Sequence, residues 1–105
     1  MKRHDDLISY VLPILSDNPF VQKVYLFGSC ARNTETWGSD VDLFVVVDDS
    51  ISDQEIRQLQ TSAVPDDFRL PEVDIVVYRT SSLSEPSFFI SQTERDRRLL
   101  CEKLL

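Results

Sequence analysis

Three short apolar segments constrain the fold of this chain more than any other feature. They span residues 24–27, 40–47 and 73–78, and they are rich in the β-branched and aromatic residues that favour β-strands. The first segment is followed directly by Gly28, and the second is followed by Asp48, Asp49 and Ser50. The segments before and between them carry helical spacing or small polar residues. The pattern predicts an α/β domain built on a small sheet.

Helices are predicted before the first strand and between the second and third. Residues 5–16 carry apolar side chains at intervals of three and four, and Pro13 is expected to kink or end this helix. Residues 52–62 open with Ser52 and Glu55 in a capping-box pattern. Ile56 and Leu59 then form the inner face of that helix.

The pattern is weaker after residue 62. Residues 65–67, which are Pro-Asp-Asp, indicate a turn, and Ser84-Glu85-Pro86 is typical of the start of a last helix. Residues 98–102 fit either the continuation of that helix or a short edge strand, and the sequence leaves both open.

The composition is that of one globular domain. A chain of 105 residues falls within the usual range of about 100–200 residues per domain, and 42% hydrophobic residues suffice for a core. The formal charge of −7 disfavours a role in coating nucleic acid. No apolar stretch approaches the about 20 residues that span a membrane, and Asp5 and Asp6 stand where a signal peptide would begin its apolar run. We therefore expect a single cytoplasmic domain, residues 1–105, that does not bind membranes.

Cysteine and histidine are too few for soft-metal or thiol chemistry. Cys30 and Cys101 form no CxxC pair, and the single histidine, His4, lies in the N-terminal tail. Cys30 is interpreted as a small buried apolar residue. Carboxylates are abundant, and they suit hard cations such as Mg²⁺.

Glycine is confined to the segment between the first two strands. Gly28 follows the first strand, where the lack of a Cβ permits close approach of backbone or ligand. Ser29 then opens a turn whose N–H groups and hydroxyl could hold a phosphate. An ordinary strand-ending turn with a capping serine is the simpler interpretation of these two residues alone.

Three aspartates begin the second and third strands. Asp40 and Asp42 are two residues apart, so on a strand they point to one face. Asp74 occupies the matching position of the third strand. If the two strands are neighbours, three carboxylates converge at one sheet edge, as two-metal phosphoryl transfer requires. Each aspartate taken alone could equally be a water-exposed strand end.

Together these residues resemble a known signature. The run Leu26-Phe27-Gly28-Ser29-Cys30-Ala31-Arg32, then Asp40-Val41-Asp42 and a later Asp74, is similar to that of the minimal nucleotidyltransferases in the DNA polymerase β superfamily. The resemblance covers about residues 24–78. It implies a polymerase β palm-like fold of the α+β type, in which helices pack on a small mixed sheet.

The resemblance also implies residue roles. Gly28, Ser29 and Arg32 would hold a nucleoside triphosphate, usually ATP. Asp40, Asp42 and Asp74 would be both the catalytic residues and the ligands of Mg²⁺, expected as two ions, with Asp74 as the base. The reaction would move a nucleoside monophosphate, usually AMP, onto an acceptor hydroxyl.

The acceptor is expected on another chain, because only residues 79–105 follow the third strand. The resemblance implies a helical partner such as a HEPN-type toxin, with this chain as its antitoxin. Two alternatives stay open. The chain could be a non-catalytic binding module that masks its partner, or a nucleotidyltransferase that modifies small molecules as a homodimer.

Trp37 is the single tryptophan and lies between Gly28 and Asp40. We expect its ring to pack against the underside of the loop. The alternative is that it stacks on the nucleotide base, as aromatic side chains do elsewhere.

Overall fold

The computed structural model describes residues 2–28, 30, 34, 36–62, 64–65, 70–81 and 98–102. The described elements are α1 (Lys2–Ser16), β1 (Val21–Phe27), β2 (Val41–Val47), α2 (Asp53–Ser62), β3 (Val73–Arg79) and β4 (Arg98–Glu102). The predicted elements are confirmed in kind and in order as far as β3. The predicted turn at Asp66 and Asp67 and the predicted helix from Ser84 lie outside the described residues.

The four strands form one mixed sheet in the order β3-β2-β1-β4. β2 and β3 are parallel, whereas β1 runs antiparallel to both β2 and β4. Residues 98–102 are therefore an edge strand, which answers the question that the sequence left open. The α/β class with a small mixed sheet is confirmed.

Helix α1 continues beyond Pro13 to Ser16, so of the two expectations for this proline, a kink or the end of the helix, the second is wrong. Pro13 lies on the exposed side of the helix, whereas Leu15, two residues further on, faces the interior and is fully buried. The N–H of Asp17 donates to the Pro13 carbonyl at 3.0 Å, which continues the helical bonding past the proline. Burial of the apolar face therefore outweighs the one hydrogen bond that a proline removes.

Of the capping box predicted for α2, the bond made by the Ser52 side chain is present. The Ser52 hydroxyl accepts the N–H of Glu55 at 3.2 Å, and the Ser52 carbonyl accepts the N–H of Ile56 at 3.1 Å. Leu59 is buried and Ile56 packs beside it against the core, as predicted. No helix in the described part of the chain is long and apolar enough to cross a membrane.

Both described helices contribute to a core on one face of the sheet. Alternate residues of β1, β2 and β3 point into this core and meet the apolar stripe of α1. The fully buried side chains include Leu7, Val11, Leu15, Val24, Leu26, Val41 and Val45.

The opposite face of the sheet carries a second, aromatic cluster. Tyr25, Phe44 and Val46 are buried there, and Phe27 and Tyr78 pack against them. The rings of Phe44 and Tyr78 are stacked with centroids 5.0 Å apart. Strand alternation puts the aspartates of β2 and β3 on this second face, away from the helix-packed core.

Candidate active site

The turn after β1 lies directly against the start of β2. Phe27 pairs with Asp42 in the antiparallel register, and Gly28 continues from it with a φ of +74°. A Cβ at position 28 would lie 2.6 Å from Oδ2 of Asp42, which is too close for any real side chain. The left-handed backbone therefore favours glycine here, and any other residue would also displace the Asp42 carboxylate. The sequence predicted a close approach of backbone or ligand to Gly28, whereas the atoms nearest to it in the structure belong to the Asp42 side chain.

Two of the three aspartates are paired across the parallel strands. Asp42 and Asp74 are register partners, so their side chains leave the same face of neighbouring strands. Asp40 immediately precedes β2, two residues before Asp42. Asp42 is half-buried, and Asp40 and Asp74 are exposed. The structure thus brings Gly28, Asp40, Asp42 and Asp74 to one edge of the sheet.

The carboxylates interact electrostatically. Burial raises the pKa of Asp42 above its ordinary value, and the negative charges of Asp74 and then Asp40 raise this pKa further. A carboxyl group whose charge is opposed by two like charges gains from any cation bound nearby. The donor chemistry suits Mg²⁺, which prefers carboxylate oxygen.

The donor set does not form a closed metal cage. In the described part of the chain, no group of three or more His, Cys, Asp or Glu side chains is arranged to hold a metal ion. Mg²⁺, however, is usually held by one or two carboxylates together with substrate phosphates and water. The paired Asp42 and Asp74, with Asp40 beside them, fit that requirement.

Hydrogen bonds from three other parts of the chain fix residues 39–41 in place. His4 is buried, and its Nε2–H donates to the Ser39 carbonyl at 2.8 Å. The N–H of Val41 donates to the Glu72 carbonyl at 2.8 Å, which links the start of β2 to the residue before β3. The Cys30 thiol is buried, as predicted, and donates weakly to the Asp40 carbonyl at 3.6 Å.

Sequence reasoning missed the contribution of His4. It placed this residue in a polar tail, whereas α1 begins at Lys2 and carries His4 into the interior. The run Lys-Arg-His-Asp-Asp gives no apolar signal for burial, and the contact joins residues 35 positions apart. Nothing in the local sequence could have indicated it.

Trp37 is not packed under the loop, so that expectation is wrong. Its side chain is 69% exposed, and the guanidinium of Arg3 lies over its ring, 3.9 Å from the centroid. Trp37 and Gly38 are the central residues of a turn that the Ser39 N–H closes onto the Thr36 carbonyl at 3.0 Å. Of the three residues predicted to bind the nucleotide, only Gly28 is among the described residues, and Ser29 and Arg32 lie outside them.

Comparison with known proteins relates this architecture to nucleotidyl transfer. The family model described as polymerase beta, nucleotidyltransferase matches residues 10–103. Protein adenylyltransferase MntA of Shewanella oneidensis is 34% identical in an alignment of 76 residues that covers 69% of this chain and 51% of that protein. The chain therefore spans about half the length of this curated relative.

Solved structures agree on the fold. A Sulfolobus solfataricus structure assigned as a nucleotidyltransferase matches with a TM-score of 0.67 and 17% identity, over 97% of this chain and 86% of that one. The complex of a tri-AMPylated Shewanella oneidensis HEPN toxin with its MNT antitoxin matches with a TM-score of 0.60 and 20% identity, over 95% of this chain and 73% of that one.

Proposed function

Because the chain belongs to the polymerase beta nucleotidyltransferase family, we propose that it transfers the AMP unit of ATP onto a hydroxyl of a partner protein. One observation carries the proposal: Asp40, Asp42 and Asp74 come to one sheet edge, where Gly28 lets the backbone lie against the Asp42 carboxylate. The relative named protein adenylyltransferase supports AMP as the transferred group.

The nucleotide would lie along the turn after β1. Gly28 has no Cβ, so its backbone can come close both to Asp42 and to a triphosphate. Ser29 and Arg32 follow in the sequence and are proposed to bind the phosphates, one through its hydroxyl and N–H groups, the other through its guanidinium.

Asp40, Asp42 and Asp74 are the residues that would hold Mg²⁺. When bound, the ion would neutralise negative charge on the triphosphate. It would also offset the repulsion from Asp74 and Asp40, which adds to the effect of burial in raising the pKa of Asp42. The proposed site would therefore bind its cation partly because the carboxylates repel one another without it.

Asp74 is proposed as the base. It is exposed on the same face as Asp42, so an acceptor can reach it from solvent. The acceptor oxygen would attack the α-phosphorus while its proton moves to the Asp74 carboxylate. The bond between the α-phosphorus and the bridging oxygen breaks, and pyrophosphate leaves.

The proposed acceptor is a protein of the HEPN toxin type, with this chain as its antitoxin. The support is the likeness to an MNT antitoxin that was solved with its AMPylated HEPN toxin. The competing function is masking, in which the chain binds the toxin and neutralises it without transfer.

The test uses ATP labelled at the α-phosphorus, Mg²⁺, the purified protein and a lysate of its host. We expect one labelled protein band with wild type and none with Asp42→Asn. Asp17→Asn is the matched control, because Asp17 is an exposed aspartate in the turn after α1, away from the three carboxylates. ATP labelled at the γ-phosphorus should leave the band unlabelled, since that label departs with pyrophosphate.

The outcomes separate the two functions. A band that persists in Asp42→Asn would contradict the proposed catalytic role of the carboxylate. The absence of any band would favour masking if wild type and Asp42→Asn neutralised the purified toxin equally.

A further inference from the structure

A cleft opens beside the turn that leads into Asp40. It has a volume of about 400 Å³ and is lined by Lys2, Arg3, Asp6 and Trp37. Small-molecule sites begin at about 300 Å³, so the cleft has room for part of a nucleotide and is small for a protein element. Its lining combines an aromatic ring, two cationic side chains and one carboxylate.

Trp37 lines this cleft with an indole ring that is largely exposed and that Arg3 contacts from one side. The Arg3 guanidinium lies 3.9 Å from the ring centroid and so supports the ring from one side. The side chain is nevertheless 69% exposed, so much of the ring remains available to a ligand. An indole held in place by a cation and otherwise left in water is suited to stacking on another planar π-system.

The cleft is joined to the three carboxylates by a short stretch of chain and by a hydrogen bond. Trp37 is three residues before Asp40, in a turn closed by the hydrogen bond between Ser39 and Thr36. His4, from the same first turn of α1 as Arg3, donates to the Ser39 carbonyl. The helix start that lines the cleft is therefore bonded to the residue adjoining Asp40.

We propose that this cleft receives the nucleobase of the nucleotide, which stacks on Trp37. The inference rests on the proposed function, since it assumes that the triphosphate binds at the carboxylate edge. In a nucleotide the base is joined to the α-phosphate through the ribose alone, so a base site must adjoin the phosphate site. Asp6 can accept a hydrogen bond from the amino group of adenine, and Lys2 and Arg3 offset the negative charge that the nucleotide brings.

The chain offers a direct reporter, because Trp37 is its single tryptophan. We expect ATP with Mg²⁺ to quench the tryptophan fluorescence, because a stacked base changes the surroundings of the indole. Inorganic tripolyphosphate has no base, so it should compete with ATP in calorimetry but leave the emission almost unchanged.

Substitution gives a second, independent measurement. Trp37→Leu should weaken ATP binding by about 5- to 100-fold, as loss of one aromatic stacking partner does elsewhere. It should leave tripolyphosphate binding unchanged, and Trp37→Phe should restore ATP binding to within a few-fold. Tyr10→Leu is the matched control, because Tyr10 is an exposed aromatic residue of α1 that does not line the cleft.

The failure of this inference differs from the failure of the proposed function. If ATP binds in calorimetry but neither quenches Trp37 nor responds to Trp37→Leu, the base lies elsewhere and the inference is wrong. The inference is also wrong if Trp37→Leu abolishes labelling of the partner while ATP binding is intact, since the cleft then contacts the acceptor. If neither ATP nor tripolyphosphate binds, the proposed nucleotide site itself is wrong.

Discussion

Gly28→Ala would place a methyl group where the structure has no room for one. The new Cβ would lie 2.6 Å from Oδ2 of Asp42 and 3.5 Å from its Cγ. Carbon and oxygen atoms do not remain at 2.6 Å without a bond, so the Asp42 carboxylate must rotate or the turn must shift. The backbone is strained as well, since φ at this position is +74°.

Gly28→Ala should lower the unfolding free energy only slightly but lower the rate of transfer strongly. A left-handed conformation costs a residue with a Cβ about 1–2 kcal/mol, and the smaller entropy of the unfolded chain offsets about 0.4–1 kcal/mol. The clash adds little to the unfolding free energy, because the end of an aspartate side chain can move. The same movement takes Asp42 away from its position beside Asp74, and misplacing a catalytic group by about 1 Å can lower the rate by about 100-fold.

Urea unfolding and labelling of the partner with α-labelled ATP measure the two effects. Gly38→Ala is the matched control, because a Cβ there meets no atom within 4 Å. It should be neutral or slightly stabilising, with normal transfer. In an Asp42→Ala background the Cβ of residue 42 is an ordinary 3.7 Å away, so Gly28→Ala should cost only the backbone strain. Equal effects of Gly28→Ala and Gly38→Ala on both assays would refute this reasoning.

Three further predictions concern the same region and its supports. The raised pKa of Asp42 means that its ionisation opposes folding, so the stability of the metal-free protein should fall as the pH rises above the ordinary value of 3.8. Asp42→Asn should remove that part of the pH dependence, which unfolding measured from about pH 4 to 7 would show. Ser52→Ala removes the bond to the Glu55 N–H and should lower the unfolding free energy by about 0.5–2 kcal/mol, which urea titration would detect. His4→Leu leaves the Ser39 carbonyl without its 2.8 Å donor and should cost about 1–3 kcal/mol in the same titration, whereas a smaller loss would mean that water replaces the imidazole.

The sheet could be predicted from the sequence where the strands are strongly apolar. Phe44 and its β2 neighbours form a continuous β-branched and aromatic run, and the structure has a strand there. The observed strand β1 begins at Val21, whereas the sequence predicted its start at Val24. The difference arises because Gln22 and Lys23 carry no such signal. Residues 98–102 become a strand because they pair with β1, and a pairing partner is not visible in a local pattern.

The candidate site could be predicted in part for a similar reason. The sequence placed Asp74 at the start of the third strand, at a position matching the start of the strand that opens with Asp40. Parallel pairing of β2 with β3 then makes Asp42 the register partner of Asp74. The exposure of Trp37 and the burial of His4 were not predictable, because both depend on where α1 meets the loop before β2. Contacts between residues so far apart in the chain follow from packing and not from local preference.

The placement of the carboxylates also explains why site and fold can be tested separately. Asp42 and Asp74 leave the sheet on the face opposite the helix-packed core, so neither side chain takes part in the burial of Leu7, Leu15 or Leu26. Removing one of these charges relieves repulsion and creates no cavity, whereas truncating Leu15 would leave a void that costs about 2–5 kcal/mol. A loss of transfer after a conservative change at Asp42 can therefore be assigned to the chemistry of the site, because the same change should leave the protein folded and, without metal, somewhat more stable.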